Sequence, residues 1–265
     1  MVFLERDQLL IDKTDSVSYL QRVPRLTPTD RLPKLLDAAA AAFIEHGFVR
    51  TQMDDIAKRL GVSKGTIYRS LDSKEALFAA VVAWADRPEL IPSAGLSMPD
   101  DIVTLARTVM VDLTSAISAL ELTTIVSERR RIRRAEVVAD EIERATIGLF
   151  VVMRSRRAAI MVLDRCAAEL PEHAPVWFGD GRYALVDLWA AYLALRSTAI
   201  NTDVERAIVA RTIVEIITIW AVKMPWDQAP RPYGDDTAAA CGAMIRNLVV
   251  GGHHLLASLP GTGRT

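Results

Sequence analysis

The chain has 265 residues, of which 51% are hydrophobic and 25% charged, and its formal net charge is −1. This length allows one or two domains, and the near-zero charge excludes a global field toward nucleic acid or membrane, so any charged partner must be met by a local patch. Charges interrupt the most apolar segments, which argues against a membrane span, and the start MVFLERDQLL is too charged for a signal peptide. Cys166 and Cys241 show neither metal-ligand spacing nor a disulfide framework. We expect a soluble, cytoplasmic protein.

The predicted elements of the N-terminal part are helices, because apolar residues recur at helical spacing and no convincing alternating strand segment is present. Residues 1–30, with prolines at 24 and 28, are predicted to form an irregular extension. A first helix is expected to follow Pro33 and to end at Gly47. Further helices are predicted at about 52–60, 63–70 and 73–86. Three prolines and a glycine within 87–99 predict a domain boundary, which gives domains of 31–86 and 87–265.

The C-terminal part is also predicted to be entirely helical, so the fold class is all-α. Asp203 follows a break at Asn201-Thr202 and is expected to be an N-cap. The expected helices span about 100–118, 120–131, 135–170, 180–199, 203–223 and 236–258.

Residues 51–68, TQMDDIAKRLGVSKGTIY, predict a helix, a tight turn and a second helix. Thr51 and Asp54 form a possible capping pair for the first helix. Gly61 suits the left-handed turn that ends it, and Ser63 is expected to cap the second helix. This is the helix-turn-helix arrangement, in which the start of the second helix enters the major groove of DNA.

Candidate DNA contacts share small, hydroxylated, cationic or phenolic side chains. Hydroxyls and amines can reach phosphates or base edges, and a glycine lets backbone approach. Around the second helix they are Ser63, Lys64, Gly65, Thr66, Tyr68 and Arg69. Lys74 lies at the start of the next helix, where a phosphate is favoured. The spacing alone leaves open a helical turn that never meets DNA, because residues 46–75 carry only six basic against four acidic residues.

The motifs A-A-x-x-F-x-x-x-G-F, T-x-x-D-I-A-x-x-L-G-V-S-K-G-T-I-Y and S-K-E-A-L-F, in order over about 31–78, closely resemble the DNA-binding domain of the tetracycline-repressor (TetR) family. The resemblance covers about a fifth of the chain. The family's other region is also all-helical but varies almost without limit. The sequence departs from the family at Ser70, which is smaller than the usual residue, and at Asp72, which adds negative charge near the phosphates.

The resemblance implies a one-component transcription regulator, usually a repressor, that binds a palindromic double-stranded operator as a homodimer. A small molecule entering the C-terminal domain usually releases such proteins from DNA. The positions at which the family contacts DNA are, in this chain, Thr51, Lys64, Gly65, Thr66, Tyr68 and Lys74.

The C-terminal part is predicted to enclose a mostly apolar ligand cavity between the helices at about 100–118, 135–170 and 180–199. Its candidate lining residues, for which core packing is the alternative, are Met110, Phe150, Met153, Trp189 and Tyr192. A homodimer is expected through the helices at about 180–199 and 203–223, because the second is apolar on more than one face. The helix at 236–258 could compete for that surface.

Three alternatives stay open beside this interpretation. The C-terminal domain could bind a protein partner or no ligand, or the whole fold could bind a protein or membrane surface instead of DNA. A helical enzyme has the least support, since no catalytic motif or cofactor site stands out. His253 and His254 point about 100° apart on a helix and do not favour a metal. The basic run 128–136 is either a second nucleic-acid contact or a solvated helix end, and the arginines of residues 1–31 form either a basic arm or part of a simple leader.

Overall fold

The computed structural model of the chain describes residues 28–91, 111–129, 131–132, 134–170, 174–197, 200, 202–226 and 236–251. Every regular element within these ranges is helical, which confirms the predicted all-α class. The N-terminal helices are α1 (Pro28–Arg50), α2 (Met53–Leu60), α3 (Lys64–Tyr68) and α4 (Lys74–Trp84), followed by a 3₁₀ turn at Pro88–Leu90. The prediction of an irregular extension over residues 1–27 concerns residues that lie outside the described ranges.

The C-terminal helices follow, some of them extended by irregular turns. The helices are α5 (described over 111–118), α6 (Glu121–Glu128), α7 (Ala135–Arg154), α8 (Arg157–Cys166), α9 (Ala184–Arg196), α10 (Asp203–Thr218) and α11 (Thr237–Arg246). A 3₁₀ turn at Ala167–Glu169 follows α8, and a π-helical segment at Pro175–Tyr183 precedes α9. Helix α10 is continued by a π-helical segment at Ile219–Lys223 and a 3₁₀ turn at Met224–Trp226, and α11 is continued by Asn247–Gly251. None of the helices in the described ranges combines the length and apolarity that a membrane crossing requires.

Helix α1 begins earlier than predicted, at Pro28 rather than after Pro33. Pro28 occupies the first helical position, where the missing N–H has no partner to lose, and Pro33 is accommodated inside the helix. Gly47 interrupts the helix with φ 81° and ψ 176°, at the position predicted for its end. The expectation of irregular structure is therefore wrong for residues 28–30.

Three phenylalanines form the centre of the N-terminal core. Phe43 and Phe48 on α1 both meet Phe78 of α4 edge to face, with ring centroids 5.3 Å apart in each pair. Phe43 and Phe78 are fully buried. This cluster fixes α1 against α4, and α2 packs on α1 beside it.

The single helix predicted over 135–170 is two helices that separate at Ser155–Arg156. The carboxylate of Asp86, just beyond α4, accepts hydrogen bonds from the backbone N–H groups of Ala158 and Ala159, each at 3.0 Å. These are amides of the first turn of α8, which otherwise lack partners. Burial raises the pKa of the Asp86 carboxyl, while the two amides act in the opposite direction. A cap from the N-terminal part therefore starts α8.

The cap of α10 also differs by one residue from the prediction. Thr202, not Asp203, is the N-cap, and its hydroxyl accepts from the Glu205 N–H at 3.1 Å. The Glu205 carboxylate accepts from the Thr202 N–H at 3.0 Å, which completes a capping box.

The helices of the C-terminal part pack in pairs. Helix α11 lies along α7, and α10 lies along α9, while α1 and α4 of the N-terminal part pack on α8. At Gly242 of α11, a Cβ atom would come within 3.1–3.3 Å of Glu143 and Ile147 of α7. The absence of a side chain at this position allows the close approach of the two helices.

A buried ion pair joins α7 to α9. Arg196 Nε lies 2.6 Å from Glu141 Oε2, and both residues are more than nine-tenths buried. The hydroxyl of Tyr192 donates to the same carboxylate oxygen at 3.3 Å. Burial, followed by the negative charge of Glu141, raises the pKa of Tyr192 well above its usual value. Trp189 meets Tyr192 edge to face at 5.7 Å.

Helix α10 and its continuation leave three large apolar side chains exposed on one side, which also carries the ion pair of Arg211 and Glu215. Val204, Ile208 and Ile219 are 69%, 61% and 41% exposed. Their spacing places all three on one side of the helix. The other large apolar residues predicted for this surface are turned inward, since Ile213 and Ile217 are fully buried and Ile216 is packed against the core.

Candidate nucleic-acid interface

The turn between α2 and α3 has the predicted geometry. Gly61 adopts the left-handed conformation, with φ 64° and ψ 31°, and its N–H reaches the carbonyl of Lys58 at 3.1 Å. The N–H of Val62 bonds the carbonyl of Ala57 at 3.0 Å. Ile56 on α2 and Ile67 on α3 are buried, so the two helices share one core and α3 is held rigidly with its opposite face outward.

Most of the predicted contact residues lie on that outward face. Ser63, Lys64, Gly65, Tyr68 and Arg69 are exposed, and Thr66 is partly exposed. The hydroxyls of Ser63 and Thr66 pair with each other at 2.9 Å, so Ser63 occupies the N-cap position without bonding a helix amide. The ammonium of Lys64 lies 3.3 Å from Asp54 Oδ2 in an exposed ion pair.

Gly65 is open to the outside of the molecule. A Cβ atom built there would have only the Ser63 hydroxyl oxygen as a neighbour, at 4.0 Å. Packing against the residues that the structure describes therefore does not require a glycine here. Its effect is to leave the backbone at the start of α3 uncovered for a partner.

Thr51 does not form the predicted capping pair with Asp54. The N-cap of α2 is Gln52, which makes no side-chain cap. Thr51 is fully buried, and its hydroxyl donates to the carbonyls of Gly47 and Ala42 at 2.5 and 3.2 Å. A buried hydroxyl needs such partners. The side chain therefore braces the turn between α1 and α2 and does not face outward.

Lys74 also faces the protein. Its ammonium donates to the carbonyls of Phe48 and Thr51 at 2.9 and 3.3 Å and lies 4.5 Å from the centroid of the Phe48 ring. Ser73 caps α4 by accepting from the Ala76 N–H at 2.9 Å. Lys74 thus closes the carbonyl end of α1 and tethers the turn of residues 47–52, which we call the α1–α2 turn, to α4.

The α1–α2 turn is held from the C-terminal part as well. The N–H of Val49 donates to Glu169 Oε2 at 2.9 Å, and Arg165 pairs with the other oxygen of Glu169 at 3.1 Å. A Cβ atom on Gly47 would lie 2.1 Å from the Glu169 carboxylate. Sequence reasoning missed Glu169, since no local pattern links it to a turn 120 residues away in the chain.

We expect Gly47→Ala to lower the free energy of unfolding by roughly 1–3 kcal/mol, because its backbone region is nearly exclusive to glycine and the new methyl group meets Glu169. Urea denaturation followed by circular dichroism measures this. Gly61→Ala is the matched control, since Gly61 also has positive φ but nothing within 4 Å. A smaller loss from Gly47→Ala in a Glu169→Ala background would assign the difference to the contact; equal losses in both backgrounds would contradict it.

A narrow cavity, with about 50 Å³ open to the centre of a water molecule, lies among the C-terminal helices. Its position agrees with the predicted helices, with α10 added. Its lining residues come from seven elements: Leu113, Ile117, Met153, Ile160, Met161, Asp164, Trp177, Gly181, Arg182, Leu185, Val214, Thr218, Val222 and Lys223.

Of the predicted ligand residues, only Met153 lines this cavity. Phe150 is buried and borders a different, open depression beside Asp86. Trp189 and Tyr192 are buried in the core, Tyr192 against Glu141, and do not line this cavity; the ligand contacts of these three residues stay predictions. The prediction for Met110 lies outside the described residues. The buried face of α7 contacts the cavity through Met153 and a separate depression through Phe150, and the apolar pattern of the sequence does not distinguish these two positions.

No group of three or more His, Cys, Asp or Glu side chains within the described parts of the chain could hold a metal ion. His253 and His254 lie outside those parts. In the basic run, the described Arg129 ends α6 in a left-handed conformation with φ 53°, and Arg131 and Arg134 are exposed before α7 begins.

Comparison with known proteins matches residues 35–81 to the family model described as bacterial regulatory proteins, tetR family. A similar curated protein is the HTH-type transcriptional activator FasR of Mycolicibacterium smegmatis, 40% identical over 62 residues, which are 23% of this chain and 28% of FasR. The HTH-type transcriptional regulator YhgD of Bacillus subtilis is 45% identical over 49 residues, 18% of this chain and 26% of YhgD. The chain thus spans about a quarter of the length of the curated relatives it matches.

Among solved structures, the ketosteroid transcriptional regulator KstR2 of Mycobacterium tuberculosis matches 84% of this chain and 94% of its own, at 19% identity and a TM-score of 0.47.

Proposed function

We propose that the chain is a DNA-binding transcriptional regulator of the tetR family, whose model its residues 35–81 match, and that it holds a palindromic operator as a homodimer and responds to a small molecule. We propose that it acts in the cytoplasm, usually as a repressor, and without catalytic activity. The exposed, polar start of α3, fixed on a rigid turn, is the observation that supports DNA binding.

The proposed contacts are the side chains that face outward on α3. Lys64 can leave its exposed pair with Asp54 at little cost, because exposed ion pairs contribute only about 0–1 kcal/mol. Gly65 admits the phosphate backbone, while Ser63 and Thr66 offer hydroxyls to phosphates or base edges. Tyr68 is 41% exposed and, with Arg69, lies one turn further along. Thr51 and Lys74 support this surface from behind, through the α1–α2 turn.

We expect Lys64→Ala to weaken operator binding on every sequence and to reduce the slope of log affinity against log salt by about one unit, as for a lost phosphate contact. Tyr68→Ala should also weaken binding. The operator is first selected from random double-stranded DNA, and affinity is then measured by fluorescence anisotropy at several salt concentrations.

Lys34→Ala, an exposed lysine on α1, is the matched control and should leave the affinity unchanged. Circular dichroism checks that all three variants stay folded. Unchanged affinity in both α3 variants would refute the placement of the recognition surface, and no selected sequence at all would refute DNA binding.

We propose that two chains pair through α9 and the exposed apolar face of α10. A monomer would leave Val204, Ile208 and Ile219 in water, and large apolar side chains exposed on one side of a helix favour an interface. The ion pair of Arg211 and Glu215 lies on the same side and would belong to that interface. Two copies of both helices form a four-helix bundle about a two-fold axis, in which each face meets its own copy. The symmetry suits the DNA, because one five-residue helix reads few base pairs and a palindrome provides two half-sites.

The response to a small molecule is proposed to pass through α8. Ile160, Met161 and Asp164 line the cavity, and the turn that follows α8 carries Glu169, whose carboxylate holds the α1–α2 turn. A molecule that shifts α8 therefore acts on the base of the recognition surface. Because the relative FasR is described as an activator, a reporter gene behind the selected operator is read for both loss and gain of transcription.

A second candidate is a regulator whose C-terminal part binds a protein or nothing. Thermal-shift screening with a metabolite library separates the two. Binding of a small molecule that lowers operator affinity supports the effector, and absence of any shift favours the second candidate.

A further inference from the structure

The cavity is apolar over most of its wall. Leu113 and Ile117 of α5, Met153 of α7, Ile160 of α8 and Val214 of α10 surround its interior. The hydroxyl of Thr218, the one uncharged polar side chain of the wall apart from the Trp177 indole, donates to the carbonyl of Val214 at 2.7 Å. A ligand buried here gains chiefly from transfer of apolar surface out of water. An alkyl chain or a fused apolar ring system suits such a wall.

Three of the described wall residues are charged: Asp164, Arg182 and Lys223. The carboxylate of Asp164 pairs with Arg182 and accepts from the indole N–H of Trp177 at 3.3 Å. The negative charge of Asp164 is thus balanced by Arg182, which also lies over the Phe178 ring. Lys223 forms no ion pair or hydrogen bond with any residue that the structure describes.

Among the described side chains of the cavity wall, one positive charge is therefore in excess. Lys223 is an exposed residue of the wall, and its ammonium has three donors to offer. A bound anion placed there gains charge-assisted hydrogen bonds, while a bound cation meets a like charge. This asymmetry selects a ligand by its head group.

We propose that the cavity binds an amphiphilic monoanion, a molecule with one apolar chain or ring system and one carboxylate-like head, with the head at Lys223 and Arg182 and the apolar part against α5, α7 and α10. This inference deepens the proposed small-molecule response and rests on it. The binding itself is independent of DNA and is measured without it.

Three probes with the same chain and different heads test the assignment: octanoate, 1-octanol and octylammonium. Isothermal titration calorimetry with the full chain is expected to give the highest affinity for octanoate and the lowest for octylammonium. Raising the salt concentration should weaken the binding of octanoate and leave the binding of 1-octanol unchanged, because only octanoate binding depends on a charge pair. Equal affinities for the two charged probes, or tighter binding of octylammonium, would overturn the proposal.

Variants at Lys223 separate an ionic contact from a structural one. Lys223→Gln should lower the affinity for octanoate by roughly three- to tenfold, as expected for the loss of an exposed charge pair, and leave the affinity for 1-octanol unchanged. Lys223→Glu should reverse the preference in favour of octylammonium. Lys34→Gln, at an exposed lysine of α1, is the control and should change nothing. A loss of 1-octanol binding equal to that of octanoate would show that Lys223 only supports the fold.

The outcome for DNA is read separately. If the chain binds its selected operator but none of the three probes, the ligand assignment is wrong and DNA binding stands. If the probes bind in the expected order but no operator can be selected, the cavity assignment stands and the proposed regulator is wrong.

Discussion

Glu141→Ala is expected to lower the free energy of unfolding by roughly 3–5 kcal/mol, which makes it one of the two largest effects we foresee. The substitution leaves the Arg196 guanidinium charged in a site where only 5% of the residue is exposed. It also removes the nearer of the two acceptors of the Tyr192 hydroxyl, and leaves only the Val138 carbonyl at 3.5 Å. Urea denaturation at a fixed chain concentration, followed by circular dichroism, gives the difference.

The control is an ion pair of similar geometry on the surface. Arg144 contacts both oxygens of Glu121 at 2.9 and 2.8 Å, but both side chains are well exposed. Glu121→Ala should therefore lower the free energy of unfolding by no more than about 1 kcal/mol. The double variant Glu141→Leu with Arg196→Met should recover most of the stability, since it leaves no uncompensated charge. A loss from Glu141→Ala no larger than that of the control would contradict the burial argument.

The double variant Ile208→Glu with Ile219→Glu is expected to convert the proposed dimer into a monomer at micromolar concentration. Each added carboxylate lies on the proposed two-fold interface and occurs once in each protomer. Pairing would therefore bury four carboxylates without partners and bring like charges together. Operator affinity should fall by at least about a hundredfold, because each monomer then binds its half-site independently. The second monomer no longer gains the high effective concentration that pairing with the first provides. Light scattering gives the mass, and anisotropy gives the affinity.

The matched control carries the same charge on a different exposed helix. Met244 on α11 is 44% exposed, and Met244→Glu should change neither mass nor affinity. If Met244→Glu dissociates the protein while the α10 variant does not, α11 forms the interface. A stable monomer of the unsubstituted chain at micromolar concentration would contradict pairing altogether.

The helix-turn-helix could be predicted because its signals are local. Gly61 ends α2 in a left-handed conformation, and Val62 and Ile67 keep the apolar spacing of the core. The outward side chains of α3 follow from the same spacing. What the sequence did not reveal was the inward orientation of Thr51 and Lys74, because both bind carbonyls that only the turn at Gly47 brings near them.

The C-terminal part was predicted less completely because its determinants are distant in the chain. The break between α7 and α8 has no proline or glycine, and its cap is a carboxylate more than 70 residues earlier. Glu141 has the spacing of an ordinary polar helix residue, and its burial depends on Arg196, which is 55 residues away. The cavity lies where three predicted helices meet, yet an apolar residue facing a cavity has the same pattern as one facing the core.

The cap that Asp86 supplies to α8 has a consequence for folding. Helix α8 receives the partners of its first amides only after residues 28–86 have taken their native arrangement, so its ten residues are stabilised late and by the other part of the chain. The same helix provides part of the wall of the C-terminal cavity. The N-terminal helices and the C-terminal bundle are therefore thermodynamically linked: opening one uncaps α8 in the other, and the two parts unfold as one cooperative unit rather than in separate steps.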